Sequence, residues 1–191
     1  MDKLGDMLIG TGSEKLPLLC TKGNSNEPKK FNRFTRIDEP CRALTYFCEQ
    51  NDSDAIDFIP QKDVAFVGFS AYPVIVPDEV ETFSVVWSYS IAGRAGPETV
   101  TNFSKADVKD KMVDIFFEKD IKVLKNQPIT IAVRYISNES EFVGTYLGYG
   151  GTQYRDIKTN EVGVFHIQDS ELSMKGECDH EFGNIPRIFY F

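Results

Sequence analysis

The stretch that most restricts this chain is Phe83-Ser84-Val85-Val86-Trp87-Ser88-Tyr89-Ser90-Ile91. Phe83, Val85, Trp87, Tyr89 and Ile91 recur at every second position, and Ser84, Ser88 and Ser90 fall between them. Successive side chains of a strand point to opposite sides, so this pattern predicts a strand with one apolar face and one wet face. A helix would scatter the same residues around its circumference.

Similar patterns run through most of the chain from Phe31 onward. Val64, Phe66 and Gly68 alternate with Ala65, Val67 and Phe69, a run apolar on both sides, as in a buried strand. Met112–Glu118 sets Val113, Ile115 and Phe117 against Asp114 and Glu118, and further runs follow at Ile129–Tyr135 and Val162–Ile167. Turn-forming clusters such as Ala92–Pro97 and Ser137–Ser140 separate them. Ser104–Lys111 fits a short helix. The 15 Phe and 8 Tyr suit pleated surfaces better than helices. The expectation is an all-β antiparallel β-sandwich. At 191 residues it forms one domain, burying roughly 70% of its unfolded surface.

Residues 1–30 read as an irregular N-terminal extension ahead of a sandwich domain over 31–191. Gly5, Gly10, Gly12 and Gly23 punctuate the extension, and Gly23–Pro28 resembles a linker. Leu4, Met7 and Leu8 would share a helix face, but the flanking glycines limit that helix to about two turns. A second apolar island, Leu16-Pro17-Leu18-Leu19-Cys20, is biased to an extended form by its proline. Leu16, Leu18 and Leu19 are too apolar for a free linker and too few to build a core. They are expected to dock on a partner, in a groove or along a sheet edge. The competing arrangement folds the extension back over an edge strand of its own sandwich. Ordering thirty residues costs about 30–60 kcal/mol of backbone entropy, more than so polar a tail recovers by itself. Left alone, the extension reads as a disordered lead-in; holding it in one form would take neighbours in a larger assembly.

Composition narrows the function classes. A net charge of −8 repels phosphate backbones and anionic lipid, so neither nucleic acid nor membrane is an expected partner. The four cysteines, Cys20, Cys41, Cys48 and Cys178, contain no Cys-x-x-Cys pair. The N-terminus lacks a basic start with an apolar run behind it, and no apolar stretch approaches membrane-spanning length. The expected setting is cytoplasmic, with reduced thiols. Asn102-Phe103-Ser104 and Asn138-Glu139-Ser140 match the glycosylation pattern, which matters only after secretion.

Catalysis is not expected. Cys178-Asp179-His180-Glu181 gathers metal-ligand types, but a tetrahedral zinc site needs ligands from a second segment, and Cys20, Cys41 and Cys48 offer no obvious mate. A Cys–His nucleophile pair would need an orienting third group and an oxyanion hole. His166, inside Val164–Ile167, reads as pointing out of a strand or as a satisfied core histidine. Gly148-Tyr149-Gly150-Gly151 is followed by no Lys-Ser/Thr, so it is no phosphate loop, and its glycines are expected to serve positive φ in a tight loop. Asp38-Glu39 and Asp78-Glu79 read as surface charge. No cofactor is expected. Carbohydrate or small-ligand binding is an alternative that rests on sandwich architecture alone.

Five motifs occur in order. They are a first strand from Phe31, Asp54-Ala55-Ile56-Asp57-Phe58, a strand with Gly68 four residues before Tyr72, the Tyr146-x-Gly148-x-x-Gly151 loop, and Gly183-Asn184-Ile185-Pro186 leading to Phe189-Tyr190. This series resembles the PHR domain, a β-sandwich of giant neuronal ubiquitin ligases and of BTB-type ligase adaptors. Two departures stand out: Pro73 occupies a position where the family places glycine, and the family's tryptophan near the second strand is replaced within Leu44–Phe47. The resemblance implies a jelly-roll-related sandwich acting as a non-catalytic protein-binding module. With neither a BTB region nor RING spacing in the sequence, the expected role is a standalone adaptor or a structural subunit of an intracellular hetero-complex, cytoskeletal or axonemal. Recruiting substrate within a ubiquitin-ligase system is the alternative. Tyr146, Tyr149 and Tyr154, on or beside the glycine loop, join Leu16, Leu18 and Leu19 as expected protein-binding residues. Tyrosine offers large amphipathic contact area at low entropic cost. Tyr146 fits equally well as a packing residue.

Overall fold

The computed structural model describes residues 27–34, 37, 40–42, 48–49, 53–75, 81–136, 142–143, 145–150, 164–173, 179 and 181–191. In chain order the strands begin β1 Lys29–Asn32, β2 Cys41–Arg42, β3 Cys48–Glu49, β4 Asp54–Pro60 and β5 Val64–Ala71. They continue β6 Thr82–Ile91, β7 Arg94–Ala95, β8 Thr99–Ser104, β9 Val113–Val123 and β10 Ile129–Ile136. The last are β11 Phe142–Val143, β12 Tyr146–Tyr149, β13 Phe165–Asp169, β14 Phe182–Gly183 and β15 Arg187–Tyr190.

Two antiparallel sheets form the sandwich. One runs β1-β15-β5-β9, and the other runs β13-β4-β10-β6-β7, with β8 also paired to β6. A small ribbon, β14-β12-β2, and the pair β11-β3 stand apart from both. The expected alternation holds. Phe83, Val85 and Trp87 are buried in the core with Tyr89 and Ile91 packed against it, while Ser84 and Ser88 are half-buried on the other face. That face is not wet throughout, because Val86 and Ser90 on it are buried too. β5 is buried along nearly its whole length because β15 and β9 flank it. Ile56, Phe58, Ile131, Val133 and Ile167 from one sheet meet Phe66, Phe69, Ile115, Ile188 and Tyr190 from the other. Phe165 closes one open side, with its ring 5.1 Å from Phe31 and 5.0 Å from Tyr190, both edge-on. On the opposite side Phe117 fills the gap beside Trp87, Tyr89 and Phe69.

The expected helix over Ser104–Lys111 is reduced to a single 3-10 turn, Lys105–Asp107, where the Asp107 carboxylate accepts from the Ser104 backbone N–H and hydroxyl. A bridged turn between Lys109 and Met112 then takes the chain into β9, with Asp110 and Lys111 at positive φ. The β6–β7 hairpin turns on Ala92 and Gly93, both at positive φ, as a tight two-residue hairpin demands. β1 starts at Lys29, pairing Lys29 with Tyr190 and Lys30 with Phe189. His166 lies on β13 between the core residues Phe165 and Ile167 and is half-buried on the outer side.

Candidate functional site

Antiparallel pairing brings four chain positions to one end of the sandwich. β1 ends there, β4 starts there, β5 ends there and β15 starts there. Arg33 follows β1, Asp54 opens β4, Tyr72 follows β5, and Asn184 precedes β15; none of the four has measurable exposure. Buried charges persist only where hydrogen bonds replace water. The Arg33 guanidinium supplies donors to three main-chain carbonyls. Nη2 donates to Phe182 at 2.7 Å and also to Asp179, and Nη1 donates to Ile185 at 3.4 Å. The Asp54 carboxylate accepts from the Asn184 backbone N–H. Asn184 Nδ2 donates to Thr145 Oγ1 at 3.0 Å and to the Tyr146 carbonyl at 2.6 Å. Tyr72 closes the knot: its N–H donates to the Asn184 carbonyl at 2.9 Å, its hydroxyl to the Ile37 carbonyl at 3.0 Å, and its own carbonyl accepts from the Tyr135 hydroxyl.

The ribbon β14-β12-β2 lies on this knot. Gly148 faces Gly183, Tyr149 faces Phe182, and Tyr146 faces Arg42. Gly148 is glycine because of close approach: a methyl group there would enter the Phe34 ring. This corrects the expectation that the loop's glycines serve positive φ, which holds for Gly150 at φ 75°. At Gly183 an added methyl would lie 2.8 Å from Arg33 Nη1 and 2.8 Å from Asp54 Oδ2. Residues two apart on a strand share a side. Tyr146 and Gly148 therefore face inward, Tyr146 packing against the cluster of Phe34, Ile37, Tyr72 and Met112. Leu147 and Tyr149 face outward, half-buried, with Phe182 opposite Tyr149 and 42% exposed.

Of the expected binding residues, Tyr146 is thus a packing residue on the inner side, and Tyr149 is on the outer side. Leu16, Leu18, Leu19 and Tyr154 lie outside the described residues, as do Cys178 and His180. Among the described residues no group of three His, Cys, Asp or Glu side chains is placed to hold a metal. Sequence reasoning missed Phe182, Arg33 and Asp54 as members of this end. The signal for Arg33 is a single cation within Phe31-Asn32-Arg33-Phe34; for Phe182 it is only its place beside the Gly-Asn turn. Most of the polar side-chain atoms here bind main chain, Asn184 to Thr145 being a side-chain pair, so the arrangement fixes loop geometry and presents an apolar outer surface.

No curated protein matches the chain. The family model of the PHR domain matches residues 32–191, a span that opens at the last residue of β1 and closes on the residue after β15. It takes in the whole buried knot, from Arg33 and Asp54 through Tyr146 and Gly148 to Gly183 and Asn184. The chain belongs to the PHR domain family, whose domains are protein-interaction modules of the ligase-related kind.

Proposed function

We propose that this chain is a non-catalytic adaptor that seats a partner protein on the outer side of the β12–β14 ribbon, within a larger cytoplasmic assembly. The observation that carries the reading is the contrast between the ribbon's two sides. Its inner side is locked by hydrogen bonds to the buried residues Arg33, Asp54 and Asn184, and its outer side offers Leu147, Tyr149 and a 42% exposed Phe182. Rigid aromatic groups on a preorganised surface lose little entropy on binding. Leu16, Leu18 and Leu19 supply a second, extended contact, and two linked contacts raise avidity without a deep pocket.

Capture of native complexes with the tagged full chain, identified by mass spectrometry, tests this. Phe182→Ser with Tyr149→Ser is expected to remove one defined set of co-purifying proteins while leaving the melting temperature within a few degrees of the parent. Cullin or proteasome components in that set assign the adaptor to a ubiquitin-ligase system; tubulin or axonemal proteins assign it to a structural complex. An unchanged set with the double variant would refute the ribbon as the binding surface.

A further inference from the structure

The outer face of the β1-β15-β5-β9 sheet holds a second surface, distinct from the outer side of the ribbon. Its residues lie in three rows fixed by register. One row is Lys30–Phe189–Gly68–Phe116, the next is Asn32–Arg187–Ser70–Asp114, and the third is Phe191–Ala65–Lys122. In the first row Phe116 and Phe189 stack across the bare backbone of Gly68 with ring centroids 5.0 Å apart. A side chain at Gly68 would strike the Ile115 carbonyl and come within 3.1 Å of the Phe116 ring. Phe116 is 55% exposed and Phe191 48%, so two large rings stand in solvent on a face whose centre is glycine and serine.

Each row also carries one cation: Lys30, Arg187 and Lys122. Lys30 Nζ sits 5.9 Å from the Phe189 centroid, and Arg187 Nε donates to Asn32. No described carboxylate forms an ion pair with any of the three. One acid, Asp114, shares the middle row and keeps its charge, so the three rows carry a net of two positive charges. Asp114 accepts from Ser70 at 2.6 Å, and Glu118 and Asp120 flank Lys119 in the β9 bulge at the sheet's rim. Three unpaired cations around exposed rings are unexpected on a chain of net charge −8.

We infer that this face is a docking surface for an extended acidic segment of a partner protein that carries aromatic or leucine side chains between its carboxylates. The inference rests on the domain's being a protein-binding module but uses a different face from the ribbon. Charge complementarity selects the occupant. Acidic side chains would meet Lys30, Arg187 and Lys122, and apolar ones would rest on Phe116 and Phe191. The four strands span about 14 Å, the width of a few extended residues. A second copy of the chain would set like charges against each other. An anionic membrane would meet three cations on an otherwise strongly acidic protein, and association would be opposed by the remaining charge.

The test uses the full chain as bait for a library of displayed random dodecapeptides. The expected result is enrichment of peptides combining Asp or Glu with Phe, Trp or Leu. A selected peptide, labelled and measured by fluorescence anisotropy, should bind Phe116→Ser about tenfold or more weakly. It should bind Lys30→Glu with Lys122→Glu several-fold more weakly, and lose most affinity at about 0.5 M salt. Thermal melting should fall by no more than a few degrees and stay cooperative in these variants, since Lys30 and Lys122 are exposed and Phe116, 55% exposed, gives up only its contact with Phe189. No enrichment, or enrichment without acidic residues, overturns the inference. So does binding lost with Phe182→Ser and kept with Phe116→Ser, an outcome that supports the ribbon. Phosphatidylserine vesicles that bind the chain through Phe116 and Lys30, with no peptide selected, would identify a membrane surface and equally overturn it.

Discussion

Gly148 and Gly183 face each other across the ribbon and are glycine for different neighbours. Gly148 leaves room for the Phe34 ring, and Gly183 leaves room for the Arg33 guanidinium and the Asp54 carboxylate. Overpacking a tight interior costs about 1–3 kcal/mol, so Gly148→Ala should lower stability by that amount. Phe34→Leu should absorb part of the loss, and the double variant should be less destabilised than the sum of the singles when followed by denaturant unfolding. Gly183→Ala disturbs charged groups and should cost more. Arg33→Met strips the donors from three main-chain carbonyls and leaves Asp54 buried without its neighbour's charge; it should cost about 3–5 kcal/mol. Arg33→Lys should recover only part of that, because a point ammonium cannot reproduce the planar fork. Equal stability of Arg33→Met and the parent would refute this account of the knot. Little of it was legible in the sequence. The motif residues were visible as a pattern, but periodicity reports which side a residue faces, not which distant carbonyl it will meet. Asp54 and Asn184 touch across 130 positions of chain.

At the scale of elements the sequence is far more informative, because period-2 alternation is a local property. β6, β9, β10 and β13 fall where alternation places them, and Ile188 and Tyr190 share the core-facing side of β15 as their spacing requires. The other side was only half legible. Phe191 is exposed, but Phe189 is buried by its stack with Phe116, which depends on the missing side chain at Gly68. The β9 bulge was invisible for a similar reason. Opposite Phe66 stands Ile121 and opposite Gly68 stands Phe116, so the strand takes up extra residues between them. That irregularity pulls a charged stretch onto an edge strand, which discourages edge-to-edge association. β15 is an interior strand with ladders to both β1 and β5. Deleting Ile188–Phe191 removes three buried side chains, Ile188, Phe189 and Tyr190, worth about 1.5–3 kcal/mol each in burial alone, and breaks both ladders. The truncated chain should be insoluble, or soluble without the far-UV signature of β structure. A soluble product with the parent's melting temperature would mean that the strand is peripheral.

For the whole molecule, the prediction concerns residues 1–26. Composition divides this polar, glycine-punctuated stretch from the strand-rich remainder, and the first described strand begins at Lys29. A truncation meant to test the extension should therefore stop before Lys29. Cutting after residue 30 would remove half of β1, together with Lys30 at the Phe189 ring, and would confuse loss of a tail with damage to a sheet edge. Two arrangements predict opposite results. If Leu16, Leu18 and Leu19 engage a partner, deleting 1–26 leaves the isolated domain's melting temperature unchanged and removes it from its native complex. If they cover an edge of their own sandwich, where β1, β9, β8 and β13 are outer strands among the described residues, deletion lowers the melting temperature by several degrees, roughly 2–4 °C per kcal/mol for a chain of this size. The polar make-up of the extension favours the first result. The measurement is differential scanning calorimetry of the full and truncated chains, alongside their recovery in native complexes. Unchanged recovery with a large fall in melting temperature would make the extension an intramolecular cover and end its role as a docking peptide.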